Sequence, residues 1–141
     1  MMRSLLIVGL GSFCGGALRY YISTLMKSLC GQGFPWGTLS VNLAGCLLIG
    51  LLLGIFSRCG VQSNSWSLLL TVGFCGGFTT FSTFANESLQ MLQSGNTLNL
   101  IIYILASVIV GIALVGLGYW IVKLVYRLTR CLFTDYKNGD Y

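Results

Sequence analysis

Residues 66–92 read WSLLLTVGFCGGFTTFSTFANESLQML, an apolar stretch with a polar centre. A helix of this length is long enough to cross the ~30 Å hydrocarbon core of a bilayer. Its centre holds Gly76 and Gly77, which are poor helix formers. They are followed by hydroxyl residues that compete for backbone hydrogen bonds, namely Thr79, Thr80, Ser82 and Thr83. The stretch therefore predicts a transmembrane helix that is broken near mid-membrane.

Three further apolar stretches of similar length surround this one. With it, the predicted helices are Ser4–Leu25, Thr38–Ser57, Trp66–Leu92 and Leu98–Val125. The polar connections between them are too short to fold separately. The first stretch resembles a signal peptide, but its apolar part is too long and we expect it to be retained. We predict an all-α integral membrane protein in which residues 1–141 form one membrane domain, with residues 126–141 as a cytoplasmic tail.

The composition argues against most enzymes. The 141 residues are 55% hydrophobic and 8% charged, and they include no histidine. Acids are confined to Glu87, Asp135 and Asp140, so paired-carboxylate mechanisms and most metal sites lack their residues. The six cysteines form no C-x-x-C pair and are read as small packing residues. We expect no enzyme and no nucleic-acid partner.

The basic residues are distributed unevenly over the two membrane faces. Four crossings place Arg3, Arg58 and the basic residues after the last helix on one face, with Lys27 alone on the other. The positive-inside rule then predicts cytoplasmic N- and C-termini in a cell membrane. The C-terminal basic residues also favour anionic lipid headgroups, and these residues are Lys123, Arg127, Arg130 and Lys137.

The first helix carries closely spaced glycines and one buried charge. Gly11 and Gly15 have the spacing of a close helix–helix contact in lipid, which is a better interpretation than a dinucleotide-binding turn. Arg19 lies inside the same span and needs backbone carbonyls, water or the interface as a partner. A structural tether and contact with an ion are both open interpretations.

The polar centre of the third stretch and Asn42 of the second suggest ion chemistry. Broken helices expose backbone carbonyls, and at membrane depth they coordinate ions in several transporters. We therefore expect a cation held by backbone oxygens. Asn42 either links helices or donates its amide N–H to a dehydrated anion without presenting a full charge.

Aromatic and hydroxyl side chains could extend an anion path. Phe81 and Phe84 are three residues apart, and ring edges carry positive quadrupole charge that can stabilise an anion. Ordinary core packing is the alternative. Tyr103 and Ser107 place two hydroxyls on one helix face. Because no cluster of Lys or Arg accompanies them, a path here must use neutral donors, which suits a small and strongly hydrogen-bonding anion.

Three motifs resemble those of the Fluc/CrcB fluoride channels. They are Gly16-x-x-Arg19-Tyr20, Gly37-Thr38-Leu39-x-Val41-Asn42-x-x-Gly45 and Gly73-Phe74-x-Gly76-Gly77-x-Thr79-Thr80-Phe81-Ser82-Thr83-Phe84. The resemblance spans nearly the whole chain in length, helix number and motif order. It implies passive export of cytoplasmic fluoride, which lowers fluoride toxicity, by a dimer of oppositely oriented subunits.

The same resemblance assigns residues to roles. It implies a structural sodium ion held by the backbone carbonyls of Gly76 and Thr79. It implies a fluoride path lined by Asn42, Phe81, Phe84, Thr38, Tyr103 and Ser107. For Arg19, which lies in the first motif, we expect a structural role. The charge bias departs from family members that insert both ways, so the partner is either an oppositely biased paralogue or a second copy of this chain.

Two other functions remain open at the level of sequence. A transporter or channel for another ion, coupled to protons through Glu87, would lose its pH dependence in Glu87→Gln. A non-transporting membrane scaffold would keep its activity in Phe81→Ile and lose only stability.

Overall fold

The computed structural model describes residues 1–31, 33–60 and 64–138 of the chain. All regular structure in these ranges is helical. Helix α1 is Met2–Cys30 and α2 is Trp36–Cys59. Helix α3 covers residues 65–78, and most of it, Leu68–Cys75, has the wider π-type hydrogen bonding. Helix α4 is Phe81–Gln93. Helix α5 covers residues 97–138, with a π-type segment at Ala106–Val110 between Thr97–Leu105 and Gly111–Asn138.

These helices make four spans that are long and apolar enough to cross a membrane. The third span, Ser65–Gln93, combines α3 and α4 around a break at Thr79–Thr80. The predicted four-span fold with an interrupted third helix is therefore confirmed. The helices are longer than predicted, and α5 continues to Asn138, through much of the segment that we predicted as a tail.

The break lies at the threonines rather than at the glycines. Gly76 and Gly77 keep helical geometry, whereas Thr79 and Thr80 have extended backbones with ψ of 157° and 114°. Helix α4 then begins with Thr80 as its N-cap, because the Thr80 side chain accepts a hydrogen bond from the Thr83 N–H. The residues that interrupt the helix also start the next one.

Backbone contacts through glycine join the helices in pairs. On α1, Gly11 and Gly15 are buried against α3, and a Cβ added to Gly11 would lie 2.8 Å from the Phe74 nitrogen. On α5, a Cβ added to Gly118 would lie 2.6 Å from the Leu47 carbonyl of α2. Lipid tails are as apolar as the helix surfaces, so no hydrophobic driving force brings the helices together. Close packing between small residues is what holds helices together in lipid. The predicted contact through Gly11 and Gly15 is confirmed.

Large apolar side chains cover the outside of this bundle. Leu10 and Phe13 of α1 are exposed, as are Ile109 and Ile112 of α5. Among the described residues, buried apolar side chains form one small core around Leu39, Met91 and Tyr103. Such a surface requires lipid or another protein chain against it.

Candidate functional site

The break in the third span is fixed by a single side chain of α2. The Asn42 Nδ2 donates to the Thr80 carbonyl at 3.1 Å, and the Thr80 N–H donates to Asn42 Oδ1 at 2.8 Å. This reciprocal pair replaces the backbone bonds that an uninterrupted helix would make. Asn42 therefore does link helices, and its amide still has a second N–H.

Two carbonyls lose their helical partners as a consequence. In a continuous helix the Thr80 N–H would bond to the Gly76 carbonyl, but it bonds to Asn42 instead. The Thr83 N–H would bond to the Thr79 carbonyl, but it bonds to Thr80 Oγ1 at 3.3 Å. The Gly76 and Thr79 oxygens are thus left without the donors that a helix normally supplies.

Arg19 and Ser12 of α1 donate hydrogen bonds to carbonyls of α3, on the N-terminal side of the break. The Arg19 Nε donates to the Gly77 carbonyl at 3.3 Å, and the Ser12 hydroxyl donates to the Gly73 carbonyl at 3.2 Å. The guanidinium thus has a backbone carbonyl as a partner, which is the kind of contact expected of a structural tether.

A groove runs along the surface of the bundle at the break. It has a volume of about 510 Å³. The structure brings six of the sequence-predicted site residues to its wall, and these are Asn42, Gly76, Thr79, Phe81, Phe84 and Ser107. Among the described residues that line it, none carries a charge. Any ion in this groove would meet backbone oxygens, an amide, hydroxyls and aromatic rings.

The two phenylalanines of the groove differ in exposure. The Phe81 and Phe84 ring centroids are 5.7 Å apart with the planes tilted by 42°. Phe84 is partly buried and packs against Tyr103, whereas Phe81 is 80% exposed. An apolar ring this exposed next to the break needs lipid or a second chain to cover it.

Ser107 holds an unpaired polar atom in the groove. Its Oγ is the one buried side-chain oxygen in the described residues that has no hydrogen-bond partner. A buried hydroxyl without a partner is unfavourable by about 1–3 kcal/mol. Such an atom is a ready donor for a bound anion.

Thr38 and Tyr103 lie apart from the groove and share a different partner. The Thr38 hydroxyl donates to Glu87 Oε1 at 2.9 Å, and the Tyr103 hydroxyl donates to Glu87 Oε2 at 2.8 Å. Both are buried, with Tyr103 at 0% exposure. The predicted path residues therefore fall into two groups, one in the groove and one around Glu87.

A second cavity approaches Glu87 from the ends of α1 and α4. This cavity, here called the vestibule, has a volume of about 500 Å³. Its wall includes Lys27, Phe34, Glu87, Gln90, Ser94 and Asn96. The Tyr103 ring packs between a wall residue of each cavity. Its centroid lies 5.0 Å from that of Phe84 in the groove and 5.6 Å from that of Phe34 in the vestibule.

Sequence reasoning left two residues of this region out of the predicted fluoride path. Glu87, the only acid within a predicted span, has a role only in the alternative of proton-coupled transport. Phe34 lies in a loop and meets the Tyr103 ring edge-on, at an interplanar angle of 78°. In the sequence, Phe34 is only an aromatic residue before Pro35, and nothing in that pattern predicts its contact with Tyr103.

A known protein family matches the part of the chain that forms this site. The family model described as CrcB-like protein, Camphor Resistance (CrcB), matches residues 6–119. The chain belongs to the CrcB family. All the groove and vestibule residues named above lie within the matched range.

Relatives of this CrcB chain align over almost their whole length. A protein of Phocaeicola vulgatus named fluoride-specific ion channel FluC is 48% identical over 119 residues, which is 84% of this chain and 98% of that protein. A protein of Leptospira interrogans with the same name is 42% identical over 121 residues, covering 86% and 95% of the two chains. One of Chloroflexus aurantiacus, also with that name, is 44% identical over 123 residues, covering 84% and 98%.

Proposed function

We propose that this chain is a subunit of a fluoride-selective ion channel that passively exports cytoplasmic fluoride across the cell membrane. The observation that carries the proposal is the uncharged groove at the helix break, where Asn42, Phe81, Phe84 and Ser107 lie together. Fluoride is a small anion and a strong hydrogen-bond acceptor, and neutral donors and ring edges suit it. The names of the relatives support a channel rather than an enzyme.

The proposed path crosses both groups of predicted residues. It begins in the groove at Phe81 and Asn42 and passes the unpaired Ser107 hydroxyl. It continues past the Phe84 ring, whose centroid lies 5.0 Å from that of Tyr103, to the buried Tyr103 and Thr38 hydroxyls. The vestibule offers an exit to water on the far side.

A structural sodium ion fits the carbonyls of Gly76 and Thr79. Sodium is a hard cation that takes oxygen ligands, and these two oxygens lack their helical donors. No group of three or more His, Cys, Asp or Glu side chains in the described ranges could hold a metal ion. Backbone oxygens are therefore the ligands that this part of the chain offers. When bound, the ion would supply positive charge that balances the carbonyl dipoles at the break.

A second subunit in the opposite orientation would complete the site. Two carbonyls are too few ligands for a cation, and a two-fold-related chain would double them. The same partner would cover Phe81 and close the groove. The charge bias supports one fixed orientation with cytoplasmic termini, which favours an oppositely biased paralogue as the partner. A second copy of this chain would have to insert against that bias.

The test is fluoride efflux from liposomes that contain this chain, measured with a fluoride electrode and with chloride efflux as the control. In the assembly that conducts, we expect selective fluoride efflux that Phe81→Ile abolishes. Phe13→Ile is the matched control, because Phe13 is 76% exposed on α1, away from the groove. If this chain alone is silent, it is co-expressed with an oppositely biased paralogue. Silence of both assemblies, or full activity in Phe81→Ile, would contradict the proposal.

A further inference from the structure

Glu87 has both carboxylate oxygens bonded to hydroxyls of the proposed path. Oε1 accepts from Thr38 at 2.9 Å and Oε2 accepts from Tyr103 at 2.8 Å. The three residues come from three different helices, α2, α4 and α5. Thr38 and Tyr103 are buried, whereas Glu87 is only half-buried and reaches the vestibule wall.

In this arrangement the Thr38 and Tyr103 hydroxyls, which a permeating anion needs as donors, are already bonded to Glu87. Each hydroxyl has one hydrogen to donate, and here both hydrogens point to a carboxylate. A carboxylate is itself an anion with strong acceptor oxygens, so its bonds to the two hydroxyls are charge-assisted. An anion that arrives from Phe84 finds the donors occupied and a like charge beside them.

The vestibule gives the carboxylate an alternative environment. Gln90 and Asn96 contribute amide groups to the wall of the cavity that Glu87 also lines, and Lys27 contributes an ammonium group. A carboxylate that leaves Thr38 and Tyr103 therefore has polar partners and water within the same cavity. Such an exchange would involve rotation of the Glu87 side chain into the vestibule.

We propose that Glu87 is a tethered anion that competes with the permeating ion for the Thr38 and Tyr103 hydroxyls. Fluoride is a strong enough acceptor to displace the carboxylate. Chloride is a weaker acceptor and leaves it in place. Glu87 is thus a specificity-determining residue that raises discrimination by rejecting the wrong anion. This inference rests on the proposed fluoride-channel function.

The test compares fluoride and chloride efflux for Glu87→Gln and for the unchanged chain, in the assembly that conducts. Glutamine keeps the side-chain size but has no charge and only one acceptor oxygen, so one hydroxyl is freed. We expect fluoride efflux to be maintained or faster and the fluoride-to-chloride ratio to fall about tenfold, which corresponds to ~1.4 kcal/mol. Slower fluoride efflux with an unchanged ratio would overturn the inference, because it would show that Glu87 only holds the two hydroxyls in place.

A second set of variants keeps the inference testable if Glu87→Gln folds poorly. Glu87→Asp retains the charge but is too short to reach both hydroxyls, and we expect it to lower the ratio in the same direction. In a Tyr103→Phe and Thr38→Val background no donors remain to compete for, so Glu87→Gln should have no further effect on the ratio. A full additional effect in that background would overturn the inference. If the unchanged chain passes no fluoride in any assembly, the fluoride-channel proposal itself fails.

Discussion

Asn42 of α2 and Thr80 of the third span exchange two hydrogen bonds, although they lie 38 positions apart in the sequence. The pair satisfies both backbone groups of Thr80 at the point where the helix is interrupted. An unpaired backbone group is costly in lipid, and here a side chain from another helix supplies the partners of Thr80. The same break leaves the Gly76 and Thr79 carbonyls without their helical donors.

We predict that Asn42→Ala destabilises the protein and abolishes fluoride efflux. The change leaves the Thr80 N–H and carbonyl unpaired, each at about 1–3 kcal/mol, so the unfolding free energy should fall by about 2–6 kcal/mol. Unfolding in detergent, followed by circular dichroism, measures the change. Asn86→Ala is the matched control, because Asn86 is exposed on α4. Equal stability of the two variants would contradict the capping role of Asn42.

Glycine substitutions on α1 should have opposite effects at two positions. A Cβ at Gly15 would overlap the Phe74 carbonyl, so we expect Gly15→Ala to destabilise the fold by about 1–3 kcal/mol. A Cβ at Gly9 meets no atom within 4 Å, so Gly9→Ala should be neutral or slightly stabilising. Thermal unfolding midpoints in detergent compare the two. A neutral Gly15→Ala would show that α1 and α3 are less closely packed than described.

Much of this architecture could be predicted from the sequence, because it depends on local properties. Apolar length gives the four spans, and the composition of residues 76–83 gives a break in the third. The exact break could not be predicted, since it depends on Asn42 from another helix. The link between Thr38, Tyr103 and Glu87 is also invisible in sequence, because three helices contribute to it. The extension of α5 to Asn138 was not predicted, because the predicted end of the helix was placed where the apolar stretch ends.

Removing sodium should weaken the assembly. If the Gly76 and Thr79 carbonyls hold sodium, a ligand at 100 times its Kd would stabilise the folded state by about 2.7 kcal/mol. We therefore expect a lower unfolding midpoint and slower fluoride efflux when sodium is replaced by N-methylglucamine. Potassium is the control cation of equal charge and larger size. Identical midpoints in all three salts would contradict a sodium site at the break.

The charge bias predicts which cysteines can be labelled from outside the cell. Cys30 is exposed at the end of α1, on the face that carries only Lys27 among the loop charges. In a chain whose other cysteines are replaced by serine, a membrane-impermeant maleimide should label Cys30 almost completely before lysis. A matched chain with Ser57→Cys as its single thiol should stay unlabelled. Labelling of about half of each chain would indicate both orientations and contradict the fixed topology.

Ser107→Ala should raise stability and lower function together. The Ser107 Oγ is buried without a partner, so its removal should stabilise the fold by about 1 kcal/mol or more. The same change removes a donor from the groove. We expect fluoride efflux to fall about tenfold, which corresponds to a barrier that is ~1.4 kcal/mol higher.

Ser57→Ala is the matched control, because the Ser57 hydroxyl donates to the Gly54 carbonyl at 3.0 Å and lies outside the groove. Unfolding and efflux measured on one preparation separate the two effects. A stabilised Ser107→Ala with full efflux would remove this hydroxyl from the path, whereas a destabilised one would mean that the hydroxyl has a partner in the folded protein.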